Sequence, residues 1–157
     1  MFVNELMNKN AVVCEEDASL EKVFELMTET GSKVVTVVES SAHRIPLGTI
    51  TEHDICLQIV GKGRHPRSLQ ASSVMNQTVV KASENLSLSQ CVDLMQIKST
   101  ERVCVVDEDG MLAGILTLPE IEKHFQKQTF SVNPRSESAE FETEFTFGEL
   151  SDRRRLQ

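Results

Sequence analysis

The sequence predicts an α/β chain, α+β in the broader sense, in which one β-α-β-β-α unit is written twice and the two copies pack together. Three observations carry this. "SLEKVFELM" at 19–27 returns as "SLSQCVDLM" at 87–95, and "VVTVVE" at 34–39 returns as "RVCVVD" at 102–107, both at an offset of 68. The corner "GTITEHDI" at 48–55 returns as "GILTLPEI" at 114–121. Each copy holds too few strands to close a core alone, so the halves must cover each other.

The elements follow in order. A β-rich piece, "NAVVC" or "QTVVKA", leads into an amphipathic helix that starts at a serine, and Ser87 with Gln90 has the form of a capping box. A short apolar strand comes next, "KVVTVV" or "RVCVV", then a polar turn; "DEDG" in the second copy is a strong hairpin signal. A further strand, "LGTIT" or "AGILT", enters a second helix, "EHDICLQIV" or "LPEIEKHF". Pro119 suits the first turn of that helix, where its missing N–H is not needed. The opening "NELM" falls on "SSVM" at the offset of 68, and the first hairpin carries two extra residues around "SSAHRIP". "ICLQIV" is apolar around more than half of a helix, which fits either deep burial or a face turned to a second copy. The expected domains are repeat 1 at 1–63, a linker at 64–72, repeat 2 at 73–126 and a tail at 127–157.

Composition removes several function classes. With 24 Asp and Glu against 16 Lys and Arg the net charge is −8, the wrong sign for holding a nucleic-acid backbone. Cys14, Cys56, Cys91 and Cys104 form no C-x-x-C pair and sit in apolar stretches, as reduced core thiols in a cytoplasmic protein would. The start lacks a basic and then apolar leader, and no apolar run approaches the roughly 18 residues of a membrane span, so a soluble chain that is not exported is expected. His43, His53, His65 and His124 have no zinc-ligand spacing, and no metal site is expected. Neither a G-x-S-x-G elbow nor a phosphate loop is present; no catalytic residue is assigned, and catalysis by the chain itself is not expected.

The repeated G-h-h-T-x-x-[D/E] corner after an h-V-V hairpin strand, with "LM" closing the preceding segments, resembles the tandem CBS domain pair, or Bateman module, of the small stand-alone bacterial type. The resemblance covers about residues 1–125. It implies two repeats about a pseudo-twofold axis, clefts between them for adenosine-containing ligands such as AMP, ADP, ATP or S-adenosylmethionine, and a homodimer. It implies a regulatory role, read out by an effector protein or the tail, with no required cofactor.

Within that resemblance each corner has a chemical reading. Thr51 can offer a hydroxyl to a phosphate, while Asp54, one turn on, can accept the cis-diol of a ribose. Thr117 and Glu120 repeat the pair, but Glu120 stands where the family has Asp, and the extra methylene moves its carboxylate by more than about 1 Å, enough to spoil a bidentate ribose contact. Adenine recognition is implied at Val34, Val35 and Thr36 and at Arg102, Val103 and Cys104; Thr36 and Cys104 stand where family members often have Pro. Arg102, aligned with Val34, is expected at the edge of the second cleft, facing a phosphate or only solvent. Further donors near Thr51 are Lys62, Arg64 and Arg67, or else these only solubilise the linker.

Two other readings stay open at this point. T-x-x-D and T-x-x-E are also capping boxes, so both corners would serve as caps in a ligand-free dimerisation scaffold. A thiol enzyme using Cys56 or Cys104 would need a thiol of depressed pKa. In the tail, Phe141, Thr143, Phe145 and Phe147 share one face of an extended chain opposite Glu142 and Glu144, which predicts docking as a strand, in cis or on a second copy, over free disorder.

Overall fold

The computed structural model describes residues 1–131; the Phe-rich stretch falls outside the described residues. In chain order the elements are α1 (Val3–Leu6), β1 (Val13–Glu15), α2 (Leu20–Thr30), β2 (Val34–Val38), β3 (Pro46–Thr51) and α3 (Glu52–Cys56). A π turn over Leu57–Gly61 and a 3₁₀ turn over Pro66–Ser68 follow. The second copy continues with α4 (Ala71–Val74), β4 (Lys81–Ser83), α5 (Leu88–Ile97), β5 (Arg102–Val106), β6 (Leu112–Thr117) and α6 (Leu118–Ser131). The described residues divide between two units, Met1–Leu116 and one that begins at Thr117. In the second, the described residues are Thr117 and α6.

Each copy builds a three-stranded sheet, ordered β1-β2-β3 and β4-β5-β6. β1 lies parallel to β2 and β4 parallel to β5, with Val13 opposite Thr36 and Lys81 opposite Cys104. Local chemistry sets the helix limits. The Ser19 hydroxyl accepts the Lys22 N–H at 3.2 Å, and Ser87 with Gln90 makes the full capping box. Gly31, at φ 70°, ends α2 in the left-handed conformation that glycine adopts freely. At the matching place in the second copy Ser99 takes φ 53°, where a Cβ is penalised.

The leading segments are exchanged. Residues 69–76 build the first copy: the Leu20 N–H donates to the Leu69 carbonyl at 2.9 Å, the Ala71 N–H to Ala18 at 2.7 Å, and Leu69, Ala71 and Val74 share a core with Leu20, Val23, Met27, Val35 and Ile50. Residues 1–8 do the same for the second copy: the Val3 N–H donates to Leu86 at 2.8 Å and the Leu88 N–H to Met1 at 3.2 Å. Each segment then crosses a strand of the copy it serves, with Asn76 paired to Thr49 and Asn8 to Ile115. The crossings demand bare backbone. A Cβ on Gly48 would sit 2.8 Å from the Asn76 carbonyl oxygen and 2.7 Å from Met75 Sδ; on Gly114 it would sit 2.8 Å from the Asn8 oxygen and 2.9 Å from Met7 Sδ. The "NELM" and "SSVM" match thus marks structural equivalents, the short helices α1 and α4, although the sequence reading assigned them no helix.

The two extra residues of the first hairpin also have a place. Ser41 donates from backbone and hydroxyl to the Glu15 carboxylate, and the Arg44 carbonyl accepts the Leu112 N–H of β6 at 2.7 Å. Of the broad apolar run after the first corner, Ile55 is buried and Ile59 packs on the core, whereas Val60 is 83% exposed and Leu57 49%. The run is therefore not deeply buried all round.

Two outcomes are expected in urea unfolding followed by circular dichroism. Gly48→Ala and Gly114→Ala each lower stability by about 1–3 kcal/mol, because backbone oxygens cannot swing aside. Gly61→Ala, with nothing within 4 Å of its added Cβ, serves as the unstrained control. Ser99→Gly, by contrast, raises stability by about 0.5–1 kcal/mol through relief of the left-handed strain.

Candidate functional site

Both corners form the caps their spacing allows. The Thr51 N–H and hydroxyl donate to Asp54 Oδ2 at 2.9 and 3.0 Å, and the Asp54 N–H donates back to Thr51 Oγ1 at 3.3 Å. In the second unit the Thr117 N–H and hydroxyl donate to Glu120 Oε2 at 2.8 and 2.9 Å. The longer side chain of Glu120 therefore makes the same reach. At the first corner the cap occupies one carboxylate oxygen, and Asp54 Oδ1 takes no hydrogen bond among the described residues.

Thr51 and Asp54 open onto a cleft of about 210 Å³. Thr49 joins them from β3, and Asn76 comes from the exchanged segment that crosses that strand. The opposite wall belongs to the second copy: Val79 and Val80 lead into β4, and Thr100, Arg102 and Cys104 lie at and before β5. The Thr100 hydroxyl donates to the Arg102 carbonyl at 3.0 Å and accepts the Arg102 N–H at 3.3 Å, which fixes the start of that strand.

This grouping differs from the one expected from sequence. Arg102 and Cys104 line the cleft at the first corner, together with Thr51 and Asp54. Val34, Val35 and Thr36 do not line this cleft; Val35 is in the core of the first copy, and Thr36 is fully buried with its hydroxyl unpartnered. Val103 is buried as well. Lys62, Arg64 and Arg67 are exposed and absent from the cleft wall, and Arg67 is paired with Glu21 at 2.9 Å. Sequence reasoning passed over Thr49, Asn76, Val79 and Val80. The offset that aligns "SSVM" with "NELM" placed Asn76 directly after a matched segment, and that was its signal.

Paired sheets with exchanged leading segments and a polar cleft at a T-x-x-D corner define a tandem-repeat class of fold. The chain belongs to the CBS domain family, whose sequence profile matches residues 3–61 and again 71–127. An uncharacterized protein of Methanopyrus kandleri is 29% identical over 119 residues, which are 76% of this chain and 60% of that protein, so the chain spans somewhat more than half of that relative's length. Two solved structures share the fold. A CBS domain-containing protein of Bacillus anthracis is 22% identical with a TM-score of 0.70 over 81% of this chain and 94% of its own. A CBS domain pair in complex with 5′-methylthioadenosine and S-adenosyl-L-methionine is 18% identical with a TM-score of 0.68, over 82% of this chain and 98% of that one.

The cysteines divide in a way their sequence setting does not show. Cys14, Cys91 and Cys104 are buried, and burial pushes each thiol up to about 11; at Cys104 the charges of Arg102 and Lys81 oppose this without reversing it. Cys56 is exposed on the outer side of α3, contrary to its expected core position. In the folded protein at neutral pH a disulfide reagent is therefore expected to titrate Cys56 promptly and the other three only on unfolding. The raised values also set a sign. The folded state holds these protons more tightly than the unfolded chain, so their stabilising contribution is complete below about pH 9 and is lost as pH rises toward 11.

Proposed function

We propose that the chain is a regulatory module, without catalysis of its own, that binds an adenosine-containing ligand in the cleft at Thr51 and Asp54. The observation that carries this reading is the cleft itself. Asp54 offers a free carboxylate oxygen for a ribose diol, Val79 and Val80 supply an apolar wall for a base, and Thr49, Asn76 and Thr100 line it with polar groups. Structures of the same fold carry 5′-methylthioadenosine and S-adenosyl-L-methionine. AMP, ADP, ATP and S-adenosylmethionine are the candidates.

A ligand in this place touches the first copy, the exchanged segment and the second copy at once. It therefore favours whichever arrangement of the two copies closes best around it, and an effector protein reads the difference. Association as a homodimer in the cytoplasm belongs to the same reading, with Leu57 and Val60 on the side of the apolar run turned away from the core. A second site at Thr117 and Glu120 is part of the proposal as well. The scaffold reading is favoured by the capping box at the first corner and the Thr117–Glu120 hydrogen bonds at the second, which need no ligand to explain them.

Thermal shifts with the four candidates separate the two. Free ligand at about 100 times its dissociation constant stabilises by about 2.7 kcal/mol, and Asp54→Asn is expected to remove that shift while changing the unliganded melting temperature little. With no Trp and no Tyr in the chain, adenine carried through purification is directly visible near 260 nm. A clear spectrum with no shift from any candidate makes the protein a scaffold.

A further inference from the structure

We infer that the cleft at the first corner selects a phosphorylated adenosine over neutral or sulfonium-bearing ones, through the Arg102 guanidinium, with Lys81 on the neighbouring strand. This rests on the proposed adenosine site and adds the charge class of its ligand. Arg102 lines the cleft, and its Nε is buried without a hydrogen-bond partner. Neither ion pair found among the described residues, Lys22 with Glu25 and Arg67 with Glu21, includes it. A buried Nε–H left without an acceptor is unfavourable, here on a residue that is otherwise half-buried. Its natural complement is a planar or tetrahedral oxyanion that takes two of its N–H groups.

The surroundings point the same way. Lys81 is paired with Cys104 across the parallel strands, which sets both side chains on one side of the sheet, and its charge acts on the Cys104 sulfur in the cleft wall. The one carboxylate in that wall, Asp54, spends Oδ2 on the cap. One cation in the wall, Arg102, with Lys81 on the neighbouring strand, thus stands against a single carboxylate in a chain of net charge −8. At the equivalent places of the first copy stand Val34 and Val13, the latter opposite Thr36 as Lys81 is opposite Cys104. The charge therefore belongs to this cleft and not to the repeat in general. A sulfonium would face Arg102 with like charge, whereas a 5′-phosphate supplies the missing acceptor.

Isothermal titration of the full chain with AMP, adenosine and S-adenosylmethionine tests the inference, using wild type, Arg102→Gln and Lys81→Ala. In the wild type AMP is expected to bind at least about tenfold tighter than adenosine, the magnitude of a charge-assisted hydrogen bond. Arg102→Gln should abolish that preference and leave adenosine affinity unchanged. Lys81→Ala, at an exposed residue, should weaken AMP by about threefold at low salt and leave adenosine alone, a second reading if Arg102→Gln disturbs the fold. Equal affinity for AMP and adenosine, tighter binding of S-adenosylmethionine, or an Arg102→Gln variant that keeps the full preference each overturns the inference while the adenosine site stands. Binding of none of the three overturns both.

Discussion

Two crossings of backbone over bare glycine hold the first unit together. At Gly48 and Gly114 a strand of one copy lies so close to the leading segment of the other that no side chain fits between them. The rest depends on this contact. The exchanged segment carries Leu69, Ala71 and Val74 into the core of the first copy, so that core is completed by residues numbered with the second. It also delivers Asn76 to the mouth of the cleft and sets β4 and β5 opposite the Thr51 corner. Were a side chain interposed, the strands would separate and the cleft would lose a wall.

The electrostatics are local against a contrary background. The chain as a whole repels anions, and at physiological salt that field is felt over about 8 Å. Within the cleft the sign is set by the few groups that line it. Burial governs the thiols there in the same manner: Cys104 sits beside two cations and still holds its proton, because loss of water outweighs their attraction. Reactivity at sulfur is thus suppressed where a ligand would lie.

Much of this was legible in the sequence, for identifiable reasons. Element order, the serine caps, the "DEDG" turn and the T-x-x-D/E corners are local patterns, and short-range hydrogen bonds decide them. The shared place of Thr51 with Arg102 and Cys104 was not legible, because it follows from which copy the leading segment joins, and an offset of 68 does not encode that choice. Cys56 was misplaced because an apolar neighbourhood along the chain says little about a helix side in space. Phe141, Phe145 and Phe147 fall outside the described residues, so the docking expected of them stands as a reading of the sequence alone.

The unit of repetition and the unit of packing are out of step by one short segment at each end. The pairing of Asn8 with Ile115 consequently ties residues at nearly opposite ends of the first unit. Closing so long a loop carries an entropic cost that local contacts cannot repay until late, which slows folding and makes it more cooperative. During synthesis the first seventy residues hold a core with a missing piece and a leading segment with no place to dock. The first need is met as soon as residues 71–76 emerge, the second only when the rest of the second copy follows.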